Sequence, residues 1–257
     1  MSYEMVNIQR ENHVMITTLA DVGSDPVKVA RLSDDLSDLC AEITLDESVR
    51  VIILAGAGKH SFSMGKDLLR GVPKVNEESQ RKMYSIAEPV AKLDKPVITA
   101  INGDALGQGL ELILASDIRI AVETANFGLP HITAGMIPYD GGTQRLSRLV
   151  GKGKAIEMIL TGEIIDAQEA YRVSLVNRVV HPDELVKVTM NLAQEIASRG
   201  PIALKYAKEA IYKGMDMTLE QGLRLEGDLY FLLQTTSDRT EGVTAFREKK
   251  TPRFEGK

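Results

Sequence analysis

Two nearly uninterrupted apolar segments, each followed by a glycine-containing loop, constrain the fold of this chain more than any other feature. Residues 50–55 read RVIILA and run into Gly56-Ala57-Gly58, and residues 97–101 read VITAI and run into Asn102-Gly103. Neither segment alternates apolar with polar residues, as a strand with one solvent face does. Both therefore predict strands that are covered on two faces, which is typical of a parallel sheet packed against helices.

The rest of the pattern predicts strands mixed with helices in the first two thirds of the chain and helices alone after that. We expect an α/β core over residues 1–195 and a helical C-terminal region over residues 196–257. The predicted strands are 5–10, 13–19, 50–55, 97–101, 117–122 and the end of 167–180. The predicted helices are one that starts at Asp25-Pro26, then 77–93, 109–116, the start of 167–180, 183–198, 201–213, 218–234 and a shorter one that ends near Lys250.

The C-terminal region carries more apolar surface than a lone helix could leave in water. Its apolar side chains pack either on the chain's own core or on a second subunit, and the pattern leaves both open. The residues concerned are Leu219, Leu223, Leu225, Leu229, Phe231 and Leu232.

Composition excludes several classes of function. The formal net charge of -5 comes without a basic run that could follow a phosphate backbone, so we expect no nucleic-acid partner. Cys40 is the single cysteine, which excludes an intrachain disulfide, and no histidine or acidic spacing predicts a metal site. The N-terminus does not resemble a secretory signal and no segment is apolar enough to span a bilayer. We therefore expect a cytoplasmic protein with no membrane contact.

Two glycine-framed loops carry the first sign of chemistry. Residues 61–67 read SFSMGKD and residues 102–109 read NGDALGQG, and each loop follows a predicted buried strand. Glycine permits close approach of the backbone, and the start of a helix offers N–H donors. One N–H from each loop could bind a single oxygen that gains negative charge during a reaction. The second loop does not have the G-x-G-x-x-G spacing of a dinucleotide site.

The order of five sequence blocks carries a resemblance to a known family. The blocks are RVIILAGAGKHSFSMGKDL, KPVITAINGDALGQGLELILASDIRIA, ANFGLPHITAGMIPYDGGTQRLSRLVG, LTGEIIDAQEAYRVSLVNRVV and EGVTAFREKKTPRF. Together they resemble the enoyl-CoA hydratase/isomerase, or crotonase, superfamily over most of the chain. The N-terminal residues differ most, since LADVGSDPVKVARLS stands where the family has Asn-Arg-Pro and Asn-Ala-Leu-Asn segments.

The resemblance implies a fold and a binding site. The fold would be a crotonase-like spiral of repeated strand-strand-helix (ββα) units, with a C-terminal helical region that forms homotrimers, often paired into hexamers. The substrate would be an acyl-CoA thioester, with coenzyme A as part of the substrate and no other cofactor. Its carbonyl oxygen would accept hydrogen bonds from the backbone N–H groups of Met64 and Gln108. Coenzyme A would lie along Lys66 and Asp67, and its phosphates would meet Lys249 or Lys250.

Two acid/base positions follow from the same resemblance. Hydratases of this family use two glutamates twenty positions apart, one of which activates water while the other protonates carbon. The first matches Glu111, whose apolar neighbours disfavour the simpler interpretation as an exposed first-turn glutamate. The second falls on His131, so simple isomerisation becomes less favourable, whereas a histidine can still act as acid or base near neutral pH.

Asp140 and Tyr139 complete the predicted site. An aspartate before Gly-Gly is often an ordinary turn residue, but dienoyl-CoA isomerases and dihydroxynaphthoyl-CoA synthases place a working aspartate in this loop. The combination of His131 and Asp140 also resembles 6-oxocamphor hydrolase, in which an aspartate orients a histidine that activates water. Tyr139 would donate a hydrogen bond to the substrate or simply pack.

Three functions remain open at this point. The first is a lyase that adds water to a 2-enoyl-CoA or an alicyclic diene analogue, or removes it. In this lyase Glu111 would handle the water, and His131, alone or with Asp140, would handle the proton at carbon. The second is a hydrolase that opens a cyclic β-keto acyl-CoA or a β-diketone by a retro-Claisen step through His131 and Asp140. The third is a non-catalytic acyl-CoA-binding protein, which Glu111 and the two loops disfavour.

Overall fold

The computed structural model describes residues 3–22, 25–58, 61–63 and 85–257. Within these residues the larger of two sheets holds six strands in the order β1-β2-β3-β5-β7-β10. The first two strands pair antiparallel, and every further neighbour pairs parallel. The strands are β1 (Val6–Glu11), β2 (Val14–Leu19), β3 (Val51–Gly56), β5 (Val97–Ile101), β7 (Ile118–Val122) and β10 (Arg178–Val180).

A smaller sheet lies beside the first and explains how the chain winds. Among the described residues it holds β4 (Ser61–Ser63), β6 (Asp104–Leu106), β8 (Asn126–Gly128) and β9 (Ile164–Asp166), in that order. The chain passes three times from the larger sheet to the smaller one, through β3–β4, β5–β6 and β7–β8. Because each set of strands pairs parallel within its own sheet, these passes stack as successive turns of a spiral. This is the spiral of ββα units that the sequence predicts.

Helices cover the sheets and then continue alone to the C-terminus. Helix α1 begins where the Asp25 carboxylate accepts the N–H of Val27 at 2.9 Å, with Pro26 at its first position. The helices are α1 (Pro26–Leu45), α2 (Ala87–Ala91), α3 (Gln108–Ile113), α4 (Gly142–Val150), α5 (Lys152–Thr161), α6 (Ala167–Arg172), α7 (Leu185–Ala197), α8 (Pro201–Gly214), α9 (Leu219–Gln234) and α10 (Ser237–Glu248), with 3-10 turns at Pro130–Ala134 and Pro182–Glu184.

The core lies between the larger sheet and helices on its faces. All five residues of β5 are buried, as a strand covered on both sides requires. Helix α7 packs across β3 and β5, and α1 contributes a buried row that includes Leu32, Leu36 and Leu39. No helix of the described part of the chain is long and apolar enough to cross a membrane.

The C-terminal helices leave apolar side chains in solvent. Helices α8 and α9 pack against each other, and α10 follows. Of the six apolar residues singled out in the sequence, Leu229 is buried and Leu225 is half-buried. The other four are exposed, with Leu219 at 79% and Phe231 at 71%. Packing on the chain's own core therefore accounts for only part of this apolar face.

The sequence placed most elements close to their observed bounds. Strand β5 spans the predicted residues, whereas only Ala87–Ala91 of the predicted helix 77–93 is observed as helix, since residues 77–84 lie outside the described part. Helices α4 and α5 had no counterpart in the prediction, and they are separated by Gly151 at a φ of 82°. The boundary predicted at 195/196 falls within the last turn of α7.

Gly56 offers a test of how tightly β3 packs against the loop after it. A Cβ at this position would collide with the carbonyl oxygen of Phe62 and would lie 3.0 Å from Oδ1 of Asn102. We expect Gly56→Ala to lower the free energy of unfolding by about 1–3 kcal/mol, measured by thermal or urea unfolding. Gly153→Ala is the matched control, because nothing lies within 4 Å of a Cβ there in helix α5. Equal stability of the two variants would contradict this packing.

Candidate active site

Helix α3 positions the central carboxylate of the site. Strand β6 ends at Leu106, and Gly107 turns the chain into the helix with φ 55° and ψ −125°, a conformation that residues with a side chain avoid. The N–H of Gly107 donates to the carbonyl of Gly128 at 2.9 Å, which fixes this turn against β8. Every residue of α3 is buried, so Glu111 on its first turns is only 1% exposed.

Two backbone N–H groups hold the Glu111 carboxylate. Its Oε1 accepts the N–H of Asp140 at 2.8 Å and the N–H of Gly142 at 2.9 Å. A Cβ at position 142 would lie 2.9 Å from that oxygen and 2.7 Å from Cβ of Pro138. A glycine at position 142 is therefore needed for the backbone to come this close to the carboxylate.

His131 faces the other oxygen of the same carboxylate. It lies in the 3-10 turn Pro130–Ala134 and is buried, and its Nε2 is 3.8 Å from Oε2 of Glu111. This distance is too long for a hydrogen bond, yet it is short enough for both side chains to contact one bound reactant. The structure thus brings together the two residues that the family spacing predicts as an acid/base pair.

Burial shifts the pKa values of Glu111 and His131 in opposite directions. Desolvation raises the pKa of Glu111 to about 7, helped by the nearby charge of Asp140, and the two backbone hydrogen bonds only partly oppose this. Desolvation also lowers the pKa of His131, although the backbone of Leu129 favours protonation of the ring. Near neutral pH, burial therefore favours a protonated Glu111 beside a neutral His131.

Asp140 does not make the contact with His131 that the hydrolase resemblance implies. Its Oδ2 accepts the N–H of Ala87 at 2.6 Å, at the start of helix α2. No hydrogen bond or ion pair joins Asp140 to His131 in the described chain, and Nδ1 of His131 makes no hydrogen bond of normal geometry there. Burial raises the pKa of Asp140 to about 6, while the Ala87 N–H and the charge of Arg145 act against the increase.

The described start of the first glycine-framed loop, residues 61–63, lies beside the second loop. Strand β4 pairs with β6, where Ser63 stands opposite Ala105, and the amide of Asn102 donates to the carbonyls of Gly56 and Gly58. Gln108 is buried and is the first residue of α3. Met64, Lys66 and Asp67 lie outside the described residues, so their predicted roles stay predictions.

The remaining predicted residues lie at the surface. Tyr139 is 58% exposed on the loop before Asp140. Lys249 is the exposed C-cap of α10, and Lys250 forms an ion pair with Glu248 at 2.8 Å. No hydrogen bond or ion pair between described residues joins either lysine to Glu111 or His131, and a role toward coenzyme A stays a prediction.

Two side-chain contacts at the site were not predicted from the sequence, namely those of Asn102 with the carbonyls of Gly56 and Gly58 and that of Arg145 with the loop before α4. Nη1 of Arg145 donates to the carbonyl of Asp140 at 2.7 Å, so this guanidinium supports the loop that holds Glu111. Arg145 lies in the third of the five sequence blocks, within the residues GGTQRL, but only the structure shows which group it binds. Within the described residues no group of three His, Cys, Asp or Glu side chains could hold a metal ion.

The raised pKa of Glu111 predicts a specific pH dependence of stability. The group binds its proton more tightly in the folded chain, so its contribution to stability is complete below pH 4.5 and is lost as pH rises through about 7. The side chain in Glu111→Gln cannot ionise. We therefore expect the free energy of unfolding of Glu111→Gln to rise, relative to that of the parent protein, by roughly 2–3 kcal/mol between about pH 5 and pH 8. Thermal unfolding at a series of pH values measures this. Glu47→Gln removes an exposed carboxylate and is the control; a pH-independent difference for Glu111→Gln would contradict the burial argument.

Comparison with known proteins agrees with the fold. The family model described as enoyl-CoA hydratase/isomerase matches residues 26–257. The crotonyl-CoA hydratase of Syntrophomonas wolfei is 35% identical over 99% of both chains. The (E)-benzylidenesuccinyl-CoA hydratase of Thauera aromatica is 38% identical over 98% of this chain and 99% of that protein. The crystal structure of an enoyl-CoA hydratase from Bacillus anthracis has a TM-score of 0.91 at 40% identity and covers 99% of this chain and 100% of that one.

These similarities extend over the whole spiral and its helical C-terminal region, well beyond the site. They confirm the crotonase-like fold and the expectation of a hydratase-type enzyme. The chain belongs to the enoyl-CoA hydratase/isomerase, or crotonase, superfamily.

Proposed function

We propose that this chain adds water reversibly to the double bond of a 2-enoyl-CoA thioester, with Glu111 and His131 as its acid/base pair. The observation that carries the proposal is the approach of Nε2 of His131 to within 3.8 Å of Oε2 of Glu111, with both side chains buried. Hydration needs one group to remove a proton from water and another to supply a proton to carbon. A carboxyl group and an imidazole at this distance meet that need.

The effect of burial on the two pKa values suggests which residue removes a proton from water and which supplies a proton to C2. In the form that burial favours, neutral His131 takes a proton from water as the oxygen attacks C3. The C3–O bond forms, the electrons of the double bond move onto the thioester as an enolate, and protonated Glu111 then delivers its proton to C2. This leaves His131 protonated and Glu111 ionised, and the return of the proton from His131 to Glu111 restores the starting form. The family pattern suggests the opposite division, in which Glu111 activates water. The two schemes differ in which residue exchanges the proton at C2.

The enolate oxygen would be stabilised by the two loops. The backbone N–H of Gln108 at the start of α3 and that of Met64 would donate to the thioester oxygen, as in the sequence-based expectation. The pairing of β4 with β6 supports this arrangement, because it brings the chain leading to Met64 beside the chain leading to Gln108. Coenzyme A would then lie along Lys66 and Asp67, with Lys249 or Lys250 near its phosphates and Tyr139 near the acyl group.

Two relatives bear on the acyl group. One is named for crotonyl-CoA and the other for (E)-benzylidenesuccinyl-CoA, at 35% and 38% identity, so similarity alone selects neither a small linear nor a large acyl group. The hydrolase alternative depends on a histidine oriented by Asp140, and this contact is not formed. The non-catalytic alternative is disfavoured by the buried, hydrogen-bonded Glu111, because a binding protein does not need a carboxyl group with a pKa of about 7.

We also propose that the chain works as a cytoplasmic homotrimer or a hexamer of two trimers. The exposed apolar side chains of α9, including Leu219, Leu223 and Phe231, support a subunit contact at the helical C-terminal region.

We expect Glu111→Gln and His131→Gln each to lower kcat for crotonyl-CoA hydration by ~10²–10⁴, the range for general acid or base groups. If the two act as one unit, the double variant will be little worse than either single variant. Products are separated by mass spectrometry into hydroxyacyl and ring-opened dicarboxylic species, with a cyclic 2-oxoacyl-CoA assayed in parallel.

Exchange of the C2 protons of butyryl-CoA in D₂O assigns the roles, because this saturated thioester forms an enolate without adding water. Loss of exchange in Glu111→Gln but not in His131→Gln would support Glu111 as the group that protonates C2. The reverse result would support the family pattern. A loss of hydration below tenfold in both variants would refute the acid/base pair.

A further inference from the structure

Asp140 uses all three of its polar groups to join separate elements. Its N–H donates to Oε1 of Glu111 at 2.8 Å, its carboxylate accepts the N–H of Ala87 at 2.6 Å, and its carbonyl accepts Nη1 of Arg145 at 2.7 Å. The residue is only 6% exposed. Helices α2, α3 and α4 are thus connected through one residue.

The carboxylate of Asp140 is directed at the backbone of α2. Its contact with Ala87 is a charge-assisted hydrogen bond, of the kind that satisfies the first N–H groups of a helix. The N-cap position of α2 is Ile86, which has no polar side chain, so Asp140 supplies the cap from 53 residues further along the chain.

We propose that Asp140 is a positioning residue, which holds Glu111 in place by tying the loop 140–142 to the start of α2, and that it exchanges no proton with the substrate. The proposal rests on the hydration reaction proposed above. This role differs from the acid/base role that the sequence suggests for an aspartate at this position. The carboxylate of Asp140 is already bound to Ala87, while the backbone N–H of the same residue binds Glu111.

The test compares a variant that keeps an acceptor oxygen with one that removes it. Asp140→Asn can still accept the N–H of Ala87 but cannot act as an acid or base, whereas Asp140→Ala does neither. For crotonyl-CoA hydration we expect Asp140→Asn to keep kcat within about fivefold of the parent, since a neutral hydrogen bond replaces a charged one. We expect Asp140→Ala to lose roughly tenfold to a hundredfold, because Glu111 is no longer held in a productive position.

The pH dependence of kcat/KM provides a further test, because a purely structural role of Asp140 would leave it unchanged. Arg145, Glu88 and Glu111 are the charged groups that act on Asp140. The charge of Asp140 helps to raise the pKa of Glu111, so its removal in Asp140→Asn is expected to shift the Glu111 limb of the kcat/KM profile to lower pH. If this limb did not shift, the result would contradict the effect of the Asp140 charge on the pKa of Glu111.

Amide hydrogen exchange at Ala87 tests the contact without any assay of activity. We expect the Ala87 N–H to be protected in the parent and in Asp140→Asn, and to exchange faster in Asp140→Ala. Asp166 provides a matched control, because its carboxylate caps the short helix α6 by accepting the N–H of Glu169 at 2.8 Å. Asp166→Ala is expected to lower Tm by a few degrees and to leave kcat unchanged.

Two results would overturn the proposal. One is an Asp140→Asn variant that is as inactive as Asp140→Ala while its Ala87 amide stays protected, since activity would then depend on the proton of Asp140. The other is an Ala87 amide that exchanges equally fast in the parent and in Asp140→Ala. If the parent does not hydrate crotonyl-CoA at all, the proposed function fails, and amide exchange alone decides the positioning role.

Discussion

The burial of one carboxyl group, that of Glu111, determines much of the local structure. An ionised carboxylate in an apolar interior is costly unless hydrogen bonds replace its hydration. Two backbone N–H groups supply such bonds, and yet the pKa remains raised to about 7, so they offset the desolvation only in part. A carboxyl group in this state can hold or release a proton near neutral pH. The chemistry that we propose depends on this incomplete compensation.

The spiral fold is what makes the burial possible. Helix α3 follows the turn at Gly107 directly from β6 and is buried on every side, which a surface helix is not. The other parts of the site come from later segments of the chain. His131 lies in the turn after β8, and the two N–H donors, those of Asp140 and Gly142, lie just before α4 and at its first residue. Both N–H donors lie in the loop 140–142, which the carboxylate of Asp140 ties to the start of α2, so the geometry around Glu111 depends on elements that are far apart in the sequence.

Much of this was predictable from the sequence, for a physical reason. Strand β5 was placed correctly because a run of five buried residues reflects a local property, namely cover on both faces. The approach of His131 to Glu111 could be anticipated only through the family pattern, since nothing local in a 3-10 turn indicates what its side chain faces. The partner of Asp140 could not be predicted, because it is a backbone N–H 53 residues away, and any residue at position 87 except proline would supply one.

The histidine at position 131 changes which groups at the site carry a proton or a charge, rather than how the groups are arranged. Two carboxylates at this separation would each raise the pKa of the other, because both cannot readily be charged in a buried site. A neutral imidazole removes that repulsion, so the raised pKa of Glu111 comes mainly from burial, with a smaller contribution from the charge of Asp140. In the form that burial favours, Glu111 holds the proton and His131 is neutral, and moving the proton across the 3.8 Å between them would create a charged pair in a buried setting. The site therefore resists that transfer until a substrate arrives whose developing enolate accepts the proton from Glu111.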